Sequence, residues 1–195
     1  MYAGEEIHVI GSWFRIHFLE NEGMAYGLAY GGALGKIILT VFRLIALVAI
    51  GYYLSRLIKR NAATLFIVCM SLIFAGALGN IIDSVFYGLL FEASDIFHPN
   101  IAQFLPSGGG YAPLLKGKVV DMLYFPIIRG QLPHWLPIIG GNVYSFFNPV
   151  FNIADAAISS GVFSILLFYR KIFDTKENKS KPFDADNAGT EIESN

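Results

Sequence analysis

Of the 15 acidic residues in this chain, four precede Gly23 and six follow Phe173, which leaves Asp83, Glu92, Asp95, Asp121 and Asp155 in its long apolar middle. An ionisable group near hydrocarbon costs several kcal/mol, so carboxylates retained there are candidates for function. Two of them carry an amide three residues earlier, Asn80-x-x-Asp83 and Asn152-x-x-Asp155. Residues three apart share a helix face, and an asparagine can donate to a carboxylate while accepting from a neighbouring backbone group, thereby orienting it. Two carboxyls held about 3 Å apart cannot both ionise; one then serves as base toward a water and the other as acid. The same spacing also suits ion-pair partners or a proton relay.

Other chemistries are poorly supplied. Cys69 is the single cysteine and sits in the apolar run Leu65 to Phe74, which excludes a disulfide framework or a cysteine-based metal site. His8, His17, His98 and His134 show no ligand spacing. The net charge of −1, with no basic stripe, argues against nucleic acid, and no phosphate-binding glycine loop is present. An aspartic mechanism is the hydrolase chemistry left standing.

The elements that must position these acids belong to a membrane protein, with 54% hydrophobic and 15% charged residues among 195 and a mean hydropathy of +0.52. A spanning helix needs about 20 largely apolar residues, and three stretches qualify: 37–57, 64–91 and 146–168. Arg56, Lys59 and Arg60 between the first two, and Arg170, Lys171, Lys176, Lys179 and Lys181 after the third, place both regions in the cytoplasm. The reading is an all-α integral membrane bundle in three sections. Residues 1–36 form an outer-facing segment with a short strand around Trp13 to Leu19. Residues 37–172 form the membrane core with a long outer loop over 92–145, and 173–195 a disordered cytoplasmic tail. The outer loop is rich in proline and aromatics, so it is expected to pack on the membrane face or on substrate. No apolar run precedes residue 37 to carry the N-terminal segment across, so the expectation is a further spanning helix upstream of Met1, or a chain that begins at an internal methionine.

At about 1.5 Å per residue, Asp83 lies roughly 28 Å from Thr64, near the outer edge. With the third helix starting near Asn148 to Val150, Asp155 lies roughly 8 to 10 Å inside the same edge. Asp121, in the apolar segment Gly117 to Pro126, can reach that level. Small residues, Ala75-Gly76-Ala77-Leu78-Gly79 on one helix and Ala154, Ala156 and Ala157 on the other, permit close helix approach there.

Gly76-Ala77-Leu78-Gly79-Asn80-Ile81-Ile82-Asp83, Gly117-Lys118-Val119-Val120-Asp121 and Phe151-Asn152-Ile153-Ala154-Asp155-Ala156-Ala157-Ile158 resemble signature blocks of the bacterial lipoprotein signal peptidases, or signal peptidase II. Asn21-Glu22-Gly23-Met24-Ala25-Tyr26-Gly27 is similar to a fourth block, and the four run in the family's order from about Trp13 to Arg170. The resemblance implies a membrane aspartic endopeptidase that removes the signal peptide from diacylglyceryl-modified prolipoproteins, cutting on the N-terminal side of the lipidated cysteine. It implies Asp121 and Asp155 as the catalytic pair, with Asn21, Asn80, Asp83 and Asn152 in support. It also implies a four-helix bundle with a small periplasmic β-structure in the bacterial inner membrane, the site on the outer face, no metal or organic cofactor, and sensitivity to globomycin. Substrate and membrane lipid are the expected partners of a monomer.

The chain departs from that pattern in three places. A first helix is absent. The family's arginine after the Asn80-x-x-Asp83 block is Ser84 here, with Arg43 a possible substitute. The family's next carboxylate follows about nine residues after that block, which lands on Glu92, whereas Asp121 lies 38 positions on. Because Gly117-Lys118-Val119-Val120-Asp121 restores the expected wording after a looped-out insertion over 89–116, Asp121 is preferred over Glu92. The rivals are a small proton-coupled transporter subunit using Asp83 and Asp155, and a scaffold whose Asn-x-x-Asp pairs only tie helices together.

Overall fold

The computed structural model describes residues 1–22, 32–95, 97, 100–126, 128–131, 133–135, 141–146 and 149–173. The expected tail and the Gly23 to Gly27 part of the fourth block lie outside them.

Two long apolar helices dominate. Helix α1 covers Gly32–Lys59, and α2 covers Thr64–Ile82, continuing through a π-helical turn at Asp83–Tyr87 into α3 at Gly88–Leu90. Leu34–Lys59 and Thr64–Leu90 are each long and apolar enough to cross a membrane, in keeping with the first two expected spans. The turn between them is set by Asn61, whose backbone is left-handed at φ 47°, while Ala62 N–H returns to Leu57 O at 3.0 Å. Arg56 and Lys59 sit in the last turn of α1, where cations oppose the helix dipole.

The third expected span is corrected. Instead of running over 146–168, the chain forms a strand at Val143–Phe146 and another at Val150–Phe151 before helix α4 starts at Ile153, and α4 ends at Leu167. Residues 150–151 are drawn into a sheet, and Asn152 then caps the helix. Phe168 interrupts it with φ −102° and ψ 19° before the short helix α5, Tyr169–Phe173. Asp155 is therefore the third helical residue, about 4 Å from the helix start rather than 8 to 10 Å.

The β-structure exceeds the single strand expected near Trp13, and the chain is not all-α. Strands β1 (Glu6–Ile10), β2 (Phe14–Asn21), β3 (Val119–Tyr124) and β6 (Val150–Phe151) form one antiparallel sheet in the order β1-β2-β3-β6. Strands β4 (Ile128–Gln131) and β5 (Val143–Phe146) form a separate hairpin. Three of these strands lie within what reads as loop, because its prolines obscure the alternation.

Helices α2 and α4 pack antiparallel at glycine contacts, as the small residues predict. A Cβ on Gly76 would collide with the Ala154 carbonyl, and one on Gly161 would lie 2.7 Å from the Cys69 carbonyl. At the end of the bundle near the α1–α2 turn, Leu57, Ala62, Phe66 and Ile172 form a buried apolar cluster. Nearer the opposite end, Leu47, Ile81 and Val85 form a second one.

The insertion returns along the end of α2 and is stitched to it by backbone. Gly117, Leu115 and Ala112 N–H donate to Ser84, Val85 and Gly88 carbonyls at 2.9, 3.2 and 2.9 Å. Leu105 and Tyr111 N–H donate to the Leu90 and Phe91 carbonyls. A helix end leaves its last carbonyls without intrahelical partners, and this strap supplies them. The chains approach so closely that a Cβ on Gly117 would strike the Asp83 carbonyl and one on Gly110 the Gly88 and Leu89 carbonyls.

Candidate active site

Strand β3 delivers Asp121 to the junction of α2 and α4. Its register places Asp121 opposite Leu19 and Val119 opposite Asn21, and Asp121 is 2% exposed. Asn21 Nδ2 donates to Asp121 Oδ2 at 3.0 Å, and Asn152 Nδ2 donates to Asp121 Oδ1 at 2.9 Å. From α2, Asn80 Nδ2 donates to Asp155 Oδ1 at 2.8 Å, while Asn152 Nδ2 also reaches Asn80 Oδ1 at 3.0 Å. One amide network thus joins Asp121 to Asp155 through Asn152 and Asn80.

The expected pairing of Asn80 with Asp83 is corrected by this geometry, while Asn152 and Asp155 do pair, through each other's backbone N–H. Asn80 donates not to Asp83 but across the helix interface to Asp155. Asn152 is the N-cap of α4, its Oδ1 accepting from Asp155 N–H at 2.9 Å, while Asp155 Oδ2 accepts from Asn152 N–H at 3.3 Å. That reciprocal arrangement is a capping box, and it fixes the Asp155 rotamer at the positive end of a helix.

Asp83 stands beside the network. Its Oδ2 accepts from Val120 N–H at 3.4 Å, and Tyr87, one helical turn on, hydrogen-bonds its carboxylate. It therefore ties the end of α2 to β3 next to Asp121. Ser84 is buried and its hydroxyl donates to the Asn80 carbonyl at 2.9 Å. Arg43 on α1 acts electrostatically on Asp155. Lys36, four residues into the described part of α1, is ion-paired with Glu22.

Burial pushes the Asp121 carboxyl up from its ordinary 3.8 to about 6; the charges of Asp155 and Asp83 add to the rise, while the hydrogen bonds from Asn21 and Asn152 oppose it. A carboxyl so placed holds its proton at pH values where an exposed aspartate has lost it. Glu92 lies past α3 with its N–H on the Gln103 carbonyl at 3.0 Å, and the acid that meets Asn152 is Asp121.

All six residues singled out in the sequence lie in or against this network. Tyr87 was missed, although its position four residues after Asp83 was readable. Tyr111 was missed as well. Its hydroxyl accepts from Lys118 N–H at 2.6 Å beneath the Lys118 ammonium, which pairs with Glu20 at 2.8 Å. Only the fold of the insertion brings it there.

The family model for Signal peptidase (SPase) II matches residues 1–171. The chain is 50% identical over 163 residues to the lipoprotein signal peptidase of Porphyromonas gingivalis, covering 83% of this chain and 70% of that one. It is 39% identical over 163 residues to that of Amoebophilus asiaticus, covering 83% of this chain and 64% of the relative. Among solved structures, a bacterial membrane enzyme determined by the in meso method at 2.3 Å is 28% identical with a TM-score of 0.50, over 93% of this chain and 79% of that one. A second, at 1.9 Å, has the same identity and TM-score over 88% and 78%. None of these relatives supports a transporter. The chain belongs to the lipoprotein signal peptidase (signal peptidase II) family, membrane proteases that remove signal peptides from prolipoproteins.

Proposed function

We propose that this chain is an aspartic endopeptidase in which Asp121 and Asp155 activate one water, cutting diacylglyceryl-modified prolipoproteins on the N-terminal side of the lipidated cysteine. The observation that carries the reading is the amide network that holds these two carboxyls, from β3 and α4, on either side of Asn152. Asp155 accepts the proton of the attacking water, its oxygens held by Asn80 Nδ2 and Asn152 N–H. The hydroxide adds to the scissile carbonyl. Asp121, which keeps its proton up to about pH 6, gives it to the departing nitrogen as the C–N bond breaks. The products are a signal peptide with a new carboxyl terminus and a lipidated cysteine with a free amino terminus. The proton left on Asp155 then returns the pair to its starting state through water.

Asn21, Asn80 and Asn152 orient the two acids, and Asp83 anchors β3 to α2 through Val120. The substrate's acyl chains remain in the bilayer, where their binding fixes the peptide against the site. The site faces the outer side of the bacterial inner membrane, and the basic turn at Arg56 to Arg60 and the C-terminal end of α5 face the cytoplasm. Mass spectrometry of a synthetic diacylglyceryl precursor incubated with the protein in detergent tests this. Release of a peptide ending immediately before the lipidated cysteine, blocked by globomycin, is expected. Cleavage elsewhere, or cleavage retained when both acids are replaced by asparagine, overturns it.

A further inference from the structure

Past α3 the insertion pins its backbone with its own polar side chains and exposes large apolar ones. Asn100 Oδ1 accepts from Asp95 N–H at 3.2 Å, Asn100 Nδ2 donates to the Ala93 carbonyl at 3.1 Å, and Asp95 Oδ1 accepts from Phe97 N–H at 2.8 Å. These local bonds hold the shape of the loop. Phe97, Ile101, Phe104 and Leu105 meanwhile are 89, 71, 62 and 62% exposed, the Phe104 ring resting with one side on Phe91 at 5.4 Å between centroids. Four large apolar side chains exposed so close together are costly in water and mark a surface that something apolar covers.

Its position says what covers these side chains. Phe104 pairs with Phe91 in a β-bridge, Glu92 N–H bonds Gln103 O, and Leu105 N–H bonds Leu90 O at 2.7 Å. Leu90 is the last residue of the second membrane-crossing helix. The apolar tip is thus fixed at the depth where that helix leaves the hydrocarbon, continuous with its exposed lipid-facing residues Ile82, Phe86 and Leu89. Between 91 and 105 the formally charged residues are Glu92 and Asp95, so nothing cationic attracts anionic headgroups.

We propose that the described residues 93–95, 97 and 100–105 contribute to an interfacial wedge whose Phe97, Ile101, Phe104 and Leu105 side chains enter the acyl-headgroup boundary of the bilayer on the side of the active site, through apolar burial rather than charge. The wedge is a membrane-docking surface, and it stands apart from the catalytic assignment.

Depth measurement by nitroxide labelling tests it directly. The sole native thiol, Cys69, is 1% exposed and is replaced by alanine; the full chain then carries Ile101→Cys or, separately, Phe97→Cys. Each is spin-labelled and reconstituted into phosphatidylcholine vesicles. At both positions, collision with oxygen, which concentrates in lipid, is expected to exceed collision with a water-soluble nickel chelate several-fold. Nickel collision equal to or above oxygen collision would place the tip in water and overturn the proposal. Low collision with both would show it covered by protein, a second copy included, and overturn it equally. Because the two labels sit on exposed side chains, agreement between them also guards against a distorted variant.

Discussion

The two ends of the α2–α4 pair are held together by different physics. Near the α1–α2 turn the contact is apolar: Leu57, Ala62, Phe66 and Ile172 are buried together, and Gly161 lets α4 settle on the Cys69 carbonyl. At the other end the same helices are joined by side-chain amides and carboxyls, Asn80 to Asp155 and Asn152 to both Asn80 and Asp121. Apolar packing tolerates loss of one partner at the cost of a cavity. A polar network in a water-poor site leaves a buried group unsatisfied when one member goes. On the proposed reading one end supplies stability and the other holds the acids ready for chemistry, and substitutions should separate the two.

The largest effect is expected at the acids. Asp121→Asn and Asp155→Asn keep side-chain volume but turn one NH2 toward a donor, so the unfolding temperature should fall modestly while cleavage of a lipidated precursor falls by about 10³-fold. Loss of folding alongside activity would mean that the network at this end serves stability as well. The companion variant Glu92→Gln should leave the rate unchanged; a comparable loss would move the role to Glu92.

Next comes Asn152→Ala. This removes the α4 cap and both donations that bridge Asp121 to Asn80, so it affects chemistry and helix together. Loss of a cap costs about 1 kcal/mol and an unsatisfied buried partner about 1 to 3 kcal/mol. The expected outcome is a rate about 10²-fold lower with a modest fall in unfolding temperature. A purely thermal effect, with kcat intact, would break the assignment of Asn152 as an orienting group.

The opposite end should give the mirror image. A Cβ on Gly161 lies 2.7 Å from both the Cys69 carbonyl and Ile73 Cγ1, so Gly161→Ala forces the helices apart. Overpacking of this kind costs about 1 to 3 kcal/mol. The unfolding temperature should drop while kcat at low temperature stays near wild type. A fall in kcat at constant stability would show that helix separation is transmitted to the acids and that the two ends are not independent.

Much of the site was legible because its chemistry depends on local spacing. Asn80, Asp83, Asn152 and Asp155 sit on helices whose apolar runs and small residues are readable, and the glycine wording before Asp121 identifies its strand's neighbourhood. The donor pattern was not legible, because Asn80 acts across the helix interface and Asn152 acts as a cap, and spacing of three residues serves both uses. The capping box was available in the sequence as Asn-x-x-Asp, and reading it would have started the third helix at Ile153 rather than at 146. Strand β1, the hairpin β4–β5 and the insertion's return along α2 were hidden for another reason. Their pairing is between distant segments and is secured by backbone bonds and glycine contacts that leave little periodicity behind.

The smallest predicted effect probes the electrostatics of the site end alone. Asp121 has a folded value of about 6 against 3.8 in the unfolded chain, so the folded state holds that proton more tightly. The resulting stabilisation is full below pH 3.8 and is lost as pH rises through about 6. If Asp121 is the proton donor, kcat/KM should fall on the alkaline side with a midpoint near 6 in the free enzyme, since ionisation removes the acid. Asn21 Nδ2 favours the charged form by donating to Asp121 Oδ2, so Asn21→Ala should move that limb to higher pH, by about one pH unit. An Asn21→Gln variant that still reaches the carboxylate should move it less. A limb that stays in place, or moves toward acid, would show that the titrating proton belongs to another group, and the division of labour between the two acids would have to be reversed.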